Sequence, residues 1–186
     1  MNRRTFIRAA AAGPAIVACE AAAPAAASGA AAGVARIDPD TLADAAVKHF
    51  LPGKLTCGEA LLLAGCDALG IRSDLVPDAA LGLAGGVGLQ GKTCGCVTGP
   101  AMVLGLAIGL KEREYGPKKK RTFMAAGAFC KRFEEAYGTV RCRDISGLDL
   151  TKAEDRKALA SHVKAEKCSK VVAAAARMLA ESLATA

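Results

Sequence analysis

Residues 86–93 read Gly-Val-Gly-Leu-Gln-Gly-Lys-Thr, the letters of a phosphate-binding P-loop. What the chain can fold into depends on whether they work as one. A P-loop needs a buried strand to deliver the chain to the glycines and a helix N-terminus behind them. The preceding stretch, "PDAALGLAGG", lacks the β-branched run of such a strand, and no later apolar strand ends in an Asp that could hold magnesium. The overlapping Gly86-x-Gly88-x-x-Gly91 fails the same test as a dinucleotide site. No nucleotide site is expected. The glycines instead allow tight turns and close helix approach, and two thiols, Cys94 and Cys96, stand where the loop meets the next helix.

Nothing else in the chain asks for a sheet. No segment alternates with period two, Trp is absent, and Ala, Leu and Gly supply most of the apolar mass. Asp38-Pro39-Asp40-Thr41 starts a helix through "TLADAAVKHF", broken by Pro52-Gly53. "KLTCGEALLLAGCDALG" continues as an apolar helix to Gly70, and a shorter helical segment runs from Ser73 to Leu83. After the glycine loop of residues 82–95, a helix is expected from about Val97 to Arg113, with Pro100 in its first turn. "RTFMAAGAFCKRFEEAY" is helical up to Gly138, and Thr151 opens a last helical region to Leu183, with a break near Lys164. The expected fold is all-α: a small helical bundle of Ala/Leu/Gly-rich helices around a central glycine-rich loop. The uncharged run Thr93–Leu110 just reaches spanning length, but its glycines and Pro100 make it a buried core helix.

Residues 1–37 read as an export signal and flexible Ala-rich linker, leaving 38–186 as the globular domain. "MNRRTFIRAAAAGPAIVAC" has a basic start, a short apolar stretch and small residues after it. Its segment Arg3-Arg4-Thr5-Phe6-Ile7-Arg8 resembles the twin-arginine translocation motif, with Asn2 where Ser or Thr is commonest. That resemblance implies a bacterial protein exported already folded, often with a cofactor inserted, and therefore periplasmic. Two cleavage readings compete: a lipobox, Ile16-Val17-Ala18-Cys19, which would make Cys19 a lipid anchor, and the favoured small-residue site around Ala25-Ala26-Ala27-Ser28. Losing Arg3, Arg4, Arg8 and Glu20 lowers the formal charge from +7 to +5. The basic run Lys118-Lys119-Lys120-Arg121 has no interleaved aromatics and reads as a solvated helix start, so no nucleic-acid partner is expected.

With eight Cys and two isolated His, thiols are the abundant reactive side chains. Cys94 and Cys96 fall at or just before a helix N-terminus, where partial positive charge, and Lys92 beside it, favours a thiolate; the alternative is a small residue filling a tight corner. Cys57 and Cys66 are nine positions apart on one helix, roughly half a turn out of phase, and cannot face one site. Cys57 shares a small-residue stripe with Ala60, Leu61, Ala64 and Ala68, whereas Cys66 and Cys130 sit among core positions. Cys142 lies between Arg141 and Arg143, which favour its thiolate, and Cys168 heads the stripe of Val171, Val172, Ala175 and Met178. Glu59 reads as a solvated helix carboxylate, or else as a proton shuttle for Cys57.

Together these positions resemble the C-GCAxxG-C-C family of redox-active proteins, whose central motif is Cys-Gly-Ala-x-x-Gly. The matching residues are Cys57 in "TCGEALLLA", Cys94-Gly95-Cys96-Val97-Thr98-Gly99 followed by "MVLGLAIG", Cys142 in "GTVRCRDISG" and Cys168 in "KCSKVVAAAA". The likeness covers roughly residues 40–180 and implies a small helical protein with four functional cysteines. In this chain the motif Ala is Cys96, which puts a further thiol beside Cys94, and Pro100 follows the motif. Three functions follow as alternatives. The first is thiol–disulfide exchange or electron transfer with an unidentified redox partner: Cys94 attacks, and Cys57, Cys96 or Cys142 resolves, with Cys168 completing the set. The second is metal binding by Cys57, Cys94, Cys142 and Cys168, to an iron–sulfur cluster or zinc. The third is a disulfide-stabilised structural domain without catalysis.

Overall fold

The computed structural model describes residues 36–52 and 54–186. The export signal, the lipobox and Cys19 lie outside the described residues. Within them the chain is all-α, with no strand and a lone antiparallel bridge between Thr93 and Arg141. The helices are α1 (Pro39–Phe50), α2 (Cys57–Ala68), α3 (Gly95–Lys111), α4 (Tyr115–Tyr137), α5 (Cys142–Ser146), α6 (Ala153–Ala158) and α7 (Ser169–Leu183).

Local signals set the helix ends. Asp38 accepts the Thr41 amide at 2.8 Å and Pro39 occupies the first turn, which starts α1. At α2 a capping box forms between Thr56 and Glu59. Glu59 is thus neither solvated nor a free proton shuttle: it is 5 % exposed, and Oε2 accepts the Thr56 amide at 2.9 Å. Gly138, left-handed at φ +72°, ends α4. The expected helix from Ser73 is shorter than its sequence suggests, a 3₁₀ turn at Asp78–Leu83, because Pro77 disfavours helical backbone at Val76.

Two further boundaries shift. Helix α3 begins at Gly95, two residues early, so Pro100 sits in its second turn, where it removes the amide that would bond the Cys96 carbonyl. The expected break near Lys164 is a widening: Leu159–Cys168 winds as a π-helix continuous with α6 and α7.

Helix α1 packs on α7 and α2, α2 on α3, and α3 on α4 and α7. Their shared core includes Leu61, Leu62, Leu104, Phe129, Val172 and Leu179. Small residues bring α2 against α3: a methyl on Gly99 would stand 2.7 Å from the Gly58 carbonyl oxygen, and one on Gly65 would be 2.6 Å from Val103. Among the described residues no helix is long and apolar enough to cross a membrane, and the run from Thr93 to Leu110 is indeed largely core.

Candidate functional site

Close packing of α2 on α3 places their N-termini side by side, and three thiols come with them. Cys57 is the first residue of α2, Cys94 caps α3, and Cys96 lies in its first turn. Their sulfur atoms all lie within 4.8 Å of one another. The approach depends on Gly95, since a Cβ there would be 2.5 Å from Cys57 Sγ and 2.6 Å from the Gly58 amide nitrogen.

The glycine loop delivers the next thiol. Residues 85–89 are all left-handed, with Val87 at φ 61° and Leu89 at φ 67° among the glycines. This tight coil satisfies its own amides: those of Gly88, Leu89, Gly91 and Lys92 bond to carbonyls of Gly82, Ala84, Gly85 and Gly86. They are therefore turned away from any phosphate, in keeping with the absence of a P-loop strand. The freed carbonyls at the end of the coil pin the following strand of chain: Lys92 O accepts the Cys142 amide at 2.7 Å, and the Cys94 amide donates to Val140 O at 2.8 Å. Cys142 is thereby held against Cys94.

Cys57, Cys94, Cys96, Cys142 and Cys168 all line one cavity of about 160 Å³. The π-helix contributes Leu159, Lys164 and Cys168 to its wall, and Phe50, Lys54, Ile145 and Leu150 also face it. Cys94, Cys96 and Cys142 are buried, while Cys57 and Cys168 are partly exposed. Cys66 is fully buried in the core, and neither it nor Cys130 reaches the cavity. The seven described cysteines are all free.

Proton placement among the thiols is uneven. Hydrogen bonds from Cys94, and then from Cys96, hold Cys57 well below the ordinary thiol value, with the Gly58 and Gly95 amides adding to the effect against burial. Cys142 is lowered as well, first by its hydrogen bond from Cys94. Cys94, giving hydrogen bonds to Cys142 and Cys57, is pushed well up, and Cys96 is pushed up by its bond to Cys57 and by burial. Burial raises Cys168 to about 11. Thiolate character thus falls on Cys57 first and Cys142 second, and not on Cys94 and Cys96, which the sequence nominates together with Cys142. The helix N-terminus matters through the amides it gives Cys57.

The flanking arginines act otherwise than expected. Arg143 binds Asp149 at 2.8 Å and Arg141 is 3.7 Å from Asp144, so both are engaged by carboxylates rather than by Cys142. Lys92 is exposed and does not line the cavity. Two cations do, the exposed Lys54 and the half-buried Lys164, whose Nζ is 4.6 Å from the centre of the Phe50 ring and 3.2 Å from Leu55 O. Desolvation lowers its pKa while Cys57 raises it. Lys164 stands four residues before Cys168, a helical spacing that could have flagged it. His49 faces Asp67 and His162 faces Ser161, both away from the cavity.

Thiols at this spacing can exchange disulfides or hold a single metal ion. The donor set tests the metals expected. Four-coordinate zinc at about 2.3 Å from each sulfur separates its ligands by about 3.8 Å, inside the 4.8 Å that bounds the separations here. An iron–sulfur cluster spreads its cysteines over separate irons and fits three mutually close sulfurs poorly. Of the four expected ligands, Cys57 and Cys94 belong to the close set, with Cys96, while Cys142 and Cys168 line the cavity outside it.

A family model described as "Putative redox-active protein (C_GCAxxG_C_C)" matches residues 55–182. No curated protein and no solved structure matches the chain.

Proposed function

The chain belongs to the C-GCAxxG-C-C family, and on that premise we propose that it is a thiol–disulfide exchange protein whose attacking group is Cys57. The observation that carries this reading is the thiol cluster itself: Cys57 receives hydrogen bonds from two neighbouring thiols, is partly exposed, and opens onto a cavity shared with them and two further ones. A lowered, accessible thiolate with a second thiol in reach is what exchange requires.

The Cys57 thiolate attacks one sulfur of a partner's disulfide. The partner's S–S bond breaks, a mixed disulfide forms on Cys57, and the leaving thiolate takes a proton from solvent. Cys94 then gives its proton to Cys142, the thiolate to which it already donates. The Cys94 sulfur attacks Cys57 Sγ, closes the Cys57–Cys94 disulfide and expels the partner's second thiolate. The partner gains two electrons and the two protein thiols lose them. Lys164 faces the Cys57 thiolate before the attack. The apolar remainder of the wall, with Phe50, Ile145 and Leu150, suits a short apolar stretch beside the partner's disulfide. The twin-arginine-like segment Arg3–Arg8 supports an exported, periplasmic setting, where disulfides persist.

Reduced protein mixed with an aromatic disulfide reagent tests the scheme. Wild type should release both reagent thiols, whereas Cys94→Ala should release one and keep the other on Cys57, found by peptide mass spectrometry. A label that settles on Cys130 instead, with Cys57 unmodified, overturns the assignment.

A further inference from the structure

Cys96 neither attacks nor resolves in the exchange just described, although its thiol donates to Cys57, and its sulfur completes the cluster. We propose that Cys57, Cys94 and Cys96, when reduced, form a three-thiolate site for one thiophilic divalent ion of the zinc type, with a fourth position facing the cavity.

Four observations carry the proposal. The three sulfurs lie within 4.8 Å of one another, near the edge of a thiolate tetrahedron. Their seat is built into the backbone: Gly95 is the residue whose missing Cβ leaves Cys57 Sγ its place, and Gly99 lets α3 close on Gly58. The cavity wall holds no carboxylate and no imidazole, so its donors are soft and disfavour magnesium or calcium. Two ammonium groups, Lys54 and Lys164, also line it and offset the single negative charge that three thiolates leave on a divalent ion.

The fourth position follows from what the set excludes. Cys142 and Cys168 line the cavity but are not part of the mutually close group. Three protein ligands with an open position is the arrangement of zinc sites that bind an exogenous ligand, rather than of closed structural sites. Loading breaks the S–H bonds of Cys94 and Cys96, forms three metal–sulfur bonds with the Cys57 thiolate as the third ligand, and releases two protons, with no change in oxidation state.

The test is an anaerobic titration of the reduced full chain with cobalt(II), read by sulfur-to-metal charge-transfer absorption. One cobalt per chain with thiolate bands is expected. Cys96→Ala should weaken binding by at least about 100-fold, while the mixed disulfide still forms on Cys57, more slowly for want of the Cys96 hydrogen bond. Cys168→Ala should bind cobalt as wild type does. If wild type shows no thiolate–cobalt band, or Cys96→Ala binds as well as wild type, or Cys168→Ala loses the ion, the proposal is wrong. Since Cys96→Ala keeps the attacking and resolving thiols, loss of metal and loss of exchange separate cleanly.

Discussion

At the scale of single residues the cluster depends on two atoms that are missing and one proton that is shared. The missing atoms are Cβ at Gly95 and Gly99. In Gly95→Ala the new methyl meets Cys57 Sγ at 2.5 Å and the Gly58 amide nitrogen at 2.6 Å, and backbone cannot swing aside. That overpacking should cost about 1–3 kcal/mol in urea unfolding and also slow alkylation of Cys57 by separating it from Cys94. The shared proton is that of the Cys94 thiol, which sits between Cys142 and Cys57. Cys94→Ala removes the largest of the hydrogen bonds that hold Cys57 low, so it should raise the Cys57 pKa toward the ordinary thiol value. Thiolate ultraviolet absorbance against pH measures this; an unchanged midpoint would mean that Cys96 and the Gly58 and Gly95 amides hold the charge alone.

At the scale of elements, the left-handed coil of residues 85–89 replaces the P-loop that its letters suggest. Gly86→Ala places a methyl 2.5 Å from the Lys92 nitrogen and 2.9 Å from Cys142 Cβ, at φ +72°. It should destabilise the domain by roughly 1–3 kcal/mol and loosen Cys142 from Cys94, seen as faster exchange of the Cys142 amide with deuterium. The sequence made half of this legible. The missing β-branched strand before Gly86 argues against a P-loop, but five consecutive left-handed residues follow no periodicity that apolar spacing can reveal. The start of α3 was misjudged for a related reason. Pro100 was placed in the first turn on its lost amide, yet tight packing of Gly95 and Gly99 on α2 lets the helix begin earlier and absorb that loss. Cys57, Cys94, Cys96, Cys142 and Cys168 could be named from sequence, but not which of them is charged, because that depends on contacts between residues distant along the chain.

At the scale of the molecule, the helical class was legible throughout, since the helix-start signal at Asp38 and the apolar stripe of α7 agree with the observed packing. Lys164 was legible only as a helical spacing from Cys168, because its role arises where the π-helix meets α1 at Phe50. The thiols also tie global stability to pH. Cys94, Cys96 and Cys168 have folded pKa values raised above the unfolded thiol value, so their contribution is complete below pH 9.0 and is lost as pH rises. For Cys168 the loss runs from the ordinary thiol value of 9.0 up to about 11. Cys57 and Cys142, lowered in the fold, lose theirs only as pH falls through their depressed values. Reduced protein should therefore melt at progressively lower temperature from pH 9 upward, and Cys168→Ala should flatten part of that slope. The most direct measurement is alkylation of the reduced, folded protein with iodoacetamide across pH, each cysteine quantified by mass spectrometry. Cys57 should react first, with its rate levelling off well below the pH at which a free thiol ionises. Equal rates at every cysteine, or Cys94 reacting ahead of Cys57, would contradict a thiolate held on Cys57 by its neighbours.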